Sequence, residues 1–532
     1  MSKARGLGLA LLAGVLVVGL SVYLSGIGSS SLEPVEPTGQ LVLRAEAERR
    51  GEEAVIREVE LTAAPATIGL DGSAIKTWAF NGQVPGPEIR LLAGEVLRAR
   101  VVNNLPQPMT IHWHGIAIRN DMDGVPDLTQ EPIPPGGEFV YEFTTPDPGT
   151  YFYHPHTGTQ LDTGLYAPLI VEDPSEAGTY DRDIPILLDD WIDGTGETPD
   201  EVLERLLVGG SAMQDMESDG SAGMDGMDGM EGMPGGDEGT AGDPHEGTMQ
   251  EGEELAGGTV QTEGPLGDDT GDVDYPAYLI NGRTPSDPAV FEVGAGERVR
   301  LRIINAGSDT PFRVAVGGTP MTVVATDGFA VEPVTVDTLL VGMGERYDVV
   351  VSIPGDGAFP LVADAEGKGG RALAVLSAGA SEMPMADIAV PELEGRLLTL
   401  DDLVAAESVS LPSGEPDRTY RVELAGSMAK YNWAITAAEE EGVTLPVHEG
   451  ERVRLVFENQ TAMWHPLHLH GQTFQVVRAN GTLGARKDTV IVPARGQVAV
   501  EFIADNPGQW ALHCHNIYHA EAGMVITLTY VT

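Results

Sequence analysis

Cysteine is nearly missing from this chain of 532 residues, and the single Cys514 excludes any intramolecular disulfide. In an exported protein a lone thiol is a liability unless something occupies it. Lysine is scarce too, with only Lys3, Lys76, Lys368, Lys430 and Lys487, so that 31 basic residues face 81 acidic ones and the formal charge is −50. Such a polyanion repels nucleic acid and anionic membrane surfaces and gathers metal cations. The excess is spread widely: residues 200 to 274 hold 21 acids against Arg205 alone, yet the remainder would still carry −30. A salt-adapted surface is the plain reading of that spread. Long apolar runs are also absent, except from Leu7 to Leu24, where Lys3 and Arg5 precede the run and a Gly/Ser-rich stretch follows it. Residues 1 to 30 therefore read as an export segment, either a cleaved signal or a retained anchor that tethers the chain to a membrane. No twin arginine, clear small-x-small cleavage site or N-terminal cysteine for lipid attachment is present. An extracytoplasmic location, secreted or anchored to the cell envelope, is expected.

Long amphipathic helix patterns are lacking as well. In their place a strand-like unit occurs three times: Gly94-Glu-Val-Leu-Arg-Ala-Arg-Val-Val-Asn103, Gly296-Glu-Arg-Val-Arg-Leu-Arg-Ile-Ile-Asn305 and Gly450-Glu-Arg-Val-Arg-Leu-Val-Phe-Glu-Asn459. Each opens on a Gly-Glu turn, alternates apolar and polar residues with the period of a half-buried strand, and closes at Asn. Further short runs of this kind, such as Phe139 to Phe143 and Met524 to Tyr530, are separated by Pro/Gly-rich turns. The pattern predicts an all-β chain of three β-sandwich domains, at about 42–180, 181–385 and 415–532. An insert in the second, from about 200 to 274, is rich in Gly, Asp and Glu and poor in aromatics, a composition that predicts a mobile segment rather than a packed one. Met213, Met216, Met224, Met227, Met230, Met233 and Met249 recur within it, seven of the chain's 17 methionines.

Ten of the 12 histidines fall into four clusters: His112-Trp-His114, His154-Pro-His156, His465-Pro-Leu-His468-Leu-His470, and His513-Cys-His515 followed by His519. On a strand, residues two apart point to the same side, so each His-x-His offers two imidazoles to one metal or to two neighbouring ones. Imidazole alone does not name the metal. His465, Cys514 and His519, with Met524 beyond, supply two imidazoles, a thiolate and a thioether, the trigonal set with a weak axial methionine that suits an electron-transfer copper. Zinc more usually recruits several cysteines, and one catalytic zinc leaves the other histidines without a task. In an extended strand Cys514 faces one way and His513 and His515 the other. One tripeptide can then touch metal centres on opposite sides.

At these residues the chain resembles the multicopper oxidase family, in particular three-domain bacterial laccase-like and copper-tolerance oxidases of the actinobacterial type. The likeness extends to Met-Asp-Gly-Val-Pro at Met122 to Pro126, to Gly-Leu-Tyr-Ala-Pro-Leu-Ile-Val-Glu-Asp-Pro ending at Pro174, and to Gly-Glu-Arg-Tyr-Asp at Gly344 to Asp348. It implies cupredoxin-like Greek-key sandwiches and four coppers per chain. A type 1 copper would be held by His465, Cys514, His519 and, axially, Met524, and a type 2 copper by His112 and His468. One type 3 copper would take His114, His154 and His515, and the other His156, His470 and His513. The first and third domains would share the three-copper cluster, with the second as a spacer. The implied reaction is four one-electron oxidations of a donor at the type 1 site, coupled to reduction of O2 to water at the cluster. Asp123 is the candidate for steering protons. Some relatives carry a glutamate directly after the last type 1 histidine; this chain has Ala520 there, and Glu521 is the candidate substitute.

Thioether sulfur favours Cu(I), so the Met-rich insert reads as a docking site for cuprous ion, with phenols and aromatic amines as wider donors and copper tolerance as the role. Two alternatives are a general laccase whose Met-rich linker is incidental and a non-catalytic copper-binding envelope protein. Nitrite reduction usually goes with two copper-bearing domains and a different ligand distribution.

Overall fold

A computed structural model describes residues 33–176, 178–220, 264–379, 382–437 and 444–532, with side chains of the helix Pro199–Gly220 described as far as residue 209. The export segment and most of the Met-rich insert lie outside the described residues.

Among the described residues six sheets form three sandwiches. The first joins two four-stranded sheets, the second and third each a six-stranded and a five-stranded sheet. The three repeated units become the equivalent strands Val96–Asn103, Arg298–Asn305 and Arg452–Asn459. Each lies parallel to the first long strand of its own sandwich, Ile56–Leu70, Arg182–Trp191 or Arg418–Ala425.

The repeat's end residues explain its recurrence. Gly94, Gly296 and Gly450 hold φ of 85°, 82° and 85°, left-handed backbone that glycine adopts without strain. The glutamate that follows closes the turn, with Glu95, Glu297 and Glu451 accepting from the amides of Leu92, Gly294 and His448 at 2.9, 2.8 and 3.0 Å. Each also takes a forked pair from an arginine on the first strand: Arg57, Arg182 or Arg418. At the far end Asn103, Asn305 and Asn459 are buried and bind the loop that follows. Asn305 Nδ2 donates to the carbonyls of Thr310 and Val341, both at 2.9 Å, and its Oδ1 accepts from Gly307 N at 2.9 Å. Asn103 and Asn459 repeat the arrangement.

Alternation along the histidine strands sends one set of side chains to the cores and the other to the seam between the first and third sandwiches. Trp113 packs against Tyr141 and Phe143 in the first core while His112 and His114 leave the other face. Leu467 and Leu469 enter the shared core of the second and third sandwiches, while His468 and His470 point away.

The insert departs from expectation at both ends. Its start is the helix Pro199–Gly220, opened by reciprocal bonds between Thr198 and Glu201, with Val202 in the core of the second sandwich. Its last residues pack as well, through Leu266 and Val273. A few apolar side chains, each stabilising by about 1.5–3 kcal/mol when fully buried, anchor an otherwise acidic segment.

Replacing Asn305 with Ala leaves two carbonyls and one amide without partners. At roughly 1–3 kcal/mol for each buried group left unpaired, the expected loss is at least about 3 kcal/mol. Arg182→Ala, which opens an exposed pair, should cost under about 1 kcal/mol. Urea denaturation of both variants checks the contrast.

Candidate metal centres

Cys514 ends the strand Gln509–Cys514, His465 begins the neighbouring strand His465–Leu469, and His519 rides on the short helix Ile517–Glu521. Asn516 caps that helix, its Oδ1 accepting from the amides of Tyr518 and His519 at 3.1 and 3.3 Å while its Nδ2 donates to Asp309 at 2.5 Å. Cys514 Sγ lies 3.8 Å from His465 Nδ1 and 3.6 Å from His519 Nδ1, and the two nitrogens are 3.1 Å apart. Both rings are tied at Nε2: His465 to Thr461 Oγ1 at 2.8 Å, His519 to Asp272 Oδ2 at 2.9 Å. Met524 is fully buried just before the strand Val525–Tyr530, and its carbonyl accepts from Cys514 N at 3.1 Å. Asp272 also accepts from Tyr431 OH at 2.8 Å, and the Trp433 ring lies 4.3 Å from that of His519.

The remaining eight clustered histidines meet at the seam. Pairing of His112 with His154 and of His468 with His513 across adjacent strands sets their rings side by side. Three of their groups have ligand atoms within 4.8 Å of one another: His112, His114 and His468; His114, His154 and His515; His156, His470 and His513. His112 and His470 also form such a group with Asp123. Residues adjacent in the chain thus serve different groups. Cys514 turns toward His465 and His519, His513 toward His156 and His470, and His515 toward His114 and His154.

Hydrogen bonds decide which nitrogen each ring presents. His112 Nδ1 donates to the carbonyl of Asp123 at 2.9 Å, His468 Nδ1 to that of Asp488 at 3.0 Å and His513 Nδ1 to that of Cys514 at 2.8 Å. The Asp123 carboxylate holds His470 Nδ1 at 3.0 Å. A neutral ring that donates through Nδ1 carries its lone pair on Nε2. Yet His112 Nε2 faces His468 Nε2 at 3.4 Å, and His470 Nε2 faces His513 Nε2 at 3.0 Å. These are lone pairs set against lone pairs, an opposition that a metal cation bound by both would relieve. Around the second group His114 Nδ1, His154 Nε2 and both nitrogens of His515 are buried without partners, because Asp488 occupies His114 Nε2 at 3.1 Å and the Pro155 carbonyl holds His154 Nδ1 at 2.8 Å.

Burial holds His114, His154, His156, His465, His470, His513 and His515 well below the usual imidazole range, in the neutral form that binds metal. His519 differs: burial lowers it, but the Asp272 carboxylate outweighs that and pushes it up to about 10. A metal at Nδ1 competes with that proton. These donors fit copper: imidazoles with a single thiolate at one site and imidazoles alone at the other.

Asp123, expected beside the cluster, touches two of its rings. Glu521 is exposed at the end of its helix and belongs to none of the groups. Several partners escaped sequence reasoning. Asp272 lies within the acid-rich insert, where nothing sets it apart, and Asp488 sits beside Lys487 like one half of an ordinary charge pair. Arg346 lies inside the Gly344–Asp348 motif, which carries the family resemblance but assigns the arginine no role. The middle sandwich is not a mere spacer, since its Asp309 holds Asn516 and its Arg346 pairs with Asp488.

Models of the multicopper oxidase family match residues 62–176, 242–381 and 415–531. The multicopper oxidase MmcO of Mycobacterium tuberculosis is 44% identical over 473 residues, spanning 88% of this chain and 86% of that protein. A copper resistance protein A homolog of Pseudomonas syringae pv. tomato is 30% identical, over 88% of this chain and 91% of its own. Among solved structures, the laccase of Botrytis aclada superposes with a TM-score of 0.67 at 26% identity, covering 89% of this chain and 88% of that one.

Asp123→Ala keeps the backbone acceptor of His112 but removes that of His470. Copper affinity at the eight-histidine site should fall by about 10–100-fold, the usual effect of losing such an outer partner. Colour from the Cys514 site should persist. Copper titration with metal analysis tests this, and unchanged affinity contradicts it.

Proposed function

The chain belongs to the multicopper oxidase family and is an oxidase with copper as its cofactor, and from that premise we propose that it takes electrons singly from a donor at the Cys514 site and spends four of them reducing O2 to water at the eight-histidine site. His465, Cys514, His519 and Met524 would hold type 1 copper. His112 and His468 would hold type 2. His114, His154 and His515 would hold one type 3 copper, and His156, His470 and His513 its partner. Copper at these positions supplies one-electron redox steps and the place where O2 is reduced, neither of which side chains offer alone. The supporting observation is the convergence of all ten clustered histidines and Cys514 into buried groups whose free ring nitrogens face one another.

The chain's own residues link and serve the two sites. His513-Cys514-His515 joins them through a few covalent bonds, since its three side chains enter three groups. Asp123, fully buried between His112 and His470, is the group proposed to hold and pass protons at the O2 site. Glu521 has no part in this proposal because it stands outside every group.

The favoured donor is cuprous ion. Both imidazoles of the Cys514 site are fully buried, and Asp272, Tyr431 and Trp433 lie against His519. A phenol therefore has no imidazole edge to touch, whereas a small soft cation favours the thioether sulfur in which the insert is rich. Relatives named copper resistance proteins support a role in copper tolerance, and the apolar run from Leu7 to Leu24 behind Lys3 and Arg5 supports an extracytoplasmic location. Laccase relatives support the wider reading, with phenols and aromatic amines as further donors.

O2 uptake with Cu(I) and with a phenol, compared on one copper-loaded preparation, is expected to be faster with Cu(I). Cys514→Ser should abolish the blue absorbance and both turnovers; a fully loaded parent protein that is colourless refutes the type 1 assignment. Deleting residues 210–250 should lower Cu(I) turnover more than phenol turnover, and equal retention of both would sink the docking role of the methionines.

A further inference from the structure

The middle sandwich brings no histidine to the copper groups, yet its corner at Gly344-Glu345-Arg346 presses against them. A Cβ on Gly344 would stand 2.9 Å from the His515 ring and 3.1 Å from that of His114, at a φ of 82° that itself favours glycine. Two residues on, the fully buried Arg346 contacts all three sandwiches. Its Nη1 and Nη2 donate to Asp488 Oδ1 and Oδ2 of the third, both at 2.6 Å, and its Nε donates to the Thr150 carbonyl of the first at 3.1 Å. Within its own sandwich it donates to the Gly344 carbonyl at 3.1 Å and pairs with Asp327 at 3.6 Å. Asp327 in turn accepts from the amides of Asp488 and Thr489, both at 3.2 Å, and from Lys487 at 3.1 Å. Asp488 is held on every side, and what it does with that rigidity is grip two candidate ligands. Its carboxylate meets His114 Nε2, leaving Nδ1 free to bind metal, and its carbonyl takes His468 Nδ1, leaving Nε2 free.

We propose that Arg346 is a positioning residue for the copper cluster, fixing Asp488 and through it the orientation of His114 and His468, so that assembly of the O2 site depends on the docked middle sandwich. A guanidinium suits the task because its planar fork matches a carboxylate in two parallel bonds, which an ammonium cannot reproduce. The proposal rests on the copper reading given above for what the histidines hold.

The test compares the full-length parent with Arg346→Lys, Arg346→Gln and Asp488→Asn, and with Arg313→Gln as a control. Arg313 makes an equally forked pair with Glu366 in the same sandwich, away from the histidines. Copper per chain, the type 2 electron paramagnetic resonance signal and the blue absorbance are followed during copper titration. The expected result is a loss of about 10–100-fold in copper affinity at the cluster and a weakened or shifted type 2 signal in all three variants, including the charge-preserving lysine, with the blue band retained. Arg313→Gln should load like the parent. Normal cluster loading in Arg346→Gln overturns the proposal. So does parallel loss of the blue band and the cluster in Arg346→Lys and Asp488→Asn, because that marks general unfolding. A parent that binds no copper at the eight histidines instead defeats the copper reading itself, a result distinct from either.

Discussion

An imidazole has two nitrogens, and in the neutral ring the one that donates a hydrogen bond leaves the other as the only lone pair. The chemistry of this protein depends on that constraint. Backbone carbonyls of Asp123, Cys514 and Asp488, together with the Asp123 carboxylate, each take the Nδ1 proton of one ring and turn its Nε2 inward. At His114 the choice is reversed, because Asp488 takes Nε2 and exposes Nδ1. The outcome is a buried set of ring nitrogens whose lone pairs oppose one another. Such a set is unfavourable by itself and would become favourable with cations against it, so the hydrogen bonds behind the rings set which nitrogens could bind a metal.

The second constraint is the two-residue period of the extended chain. It explains how His513-Cys514-His515 serves three groups and how Trp113 can fill a core while its neighbours leave it. A helix at either place would scatter these side chains around its axis. Where a helix does appear, from Ile517 to Glu521, it swings His519 back to the same side as Cys514, and Asn516 at its start ties the turn to Asp309 of the middle sandwich.

Much of this was legible in the chain. The three Gly-Glu…Asn units announced three related sandwiches because each end residue does the same local work, and local work leaves a local signature. The histidine clusters were legible for the same reason. Asp272, Asp488 and Arg346 were not, because their meaning lies in partners 247, 374 and 142 residues away, respectively His519, His114 and Asp488. Composition also misled at the insert. Its acid content hid the buried Leu266 and Val273 and the packed helix at its start, while the methionines that drew attention to it lie largely outside the described residues.

The middle sandwich adds no histidine to the clustered groups, yet it keeps the Gly-Glu…Asn frame and reaches residues of the third through Arg346 with Asp488 and Asp309 with Asn516. The central claim, that one-electron oxidation at the Cys514 site is coupled through His513-Cys514-His515 to complete reduction of O2, is tested most directly by stoichiometry. Cu(I) oxidised, O2 consumed and hydrogen peroxide released are measured together during turnover of the copper-loaded protein. Four Cu(I) oxidised per O2 with no peroxide is the predicted result. Two Cu(I) per O2 with peroxide accumulating would contradict the account.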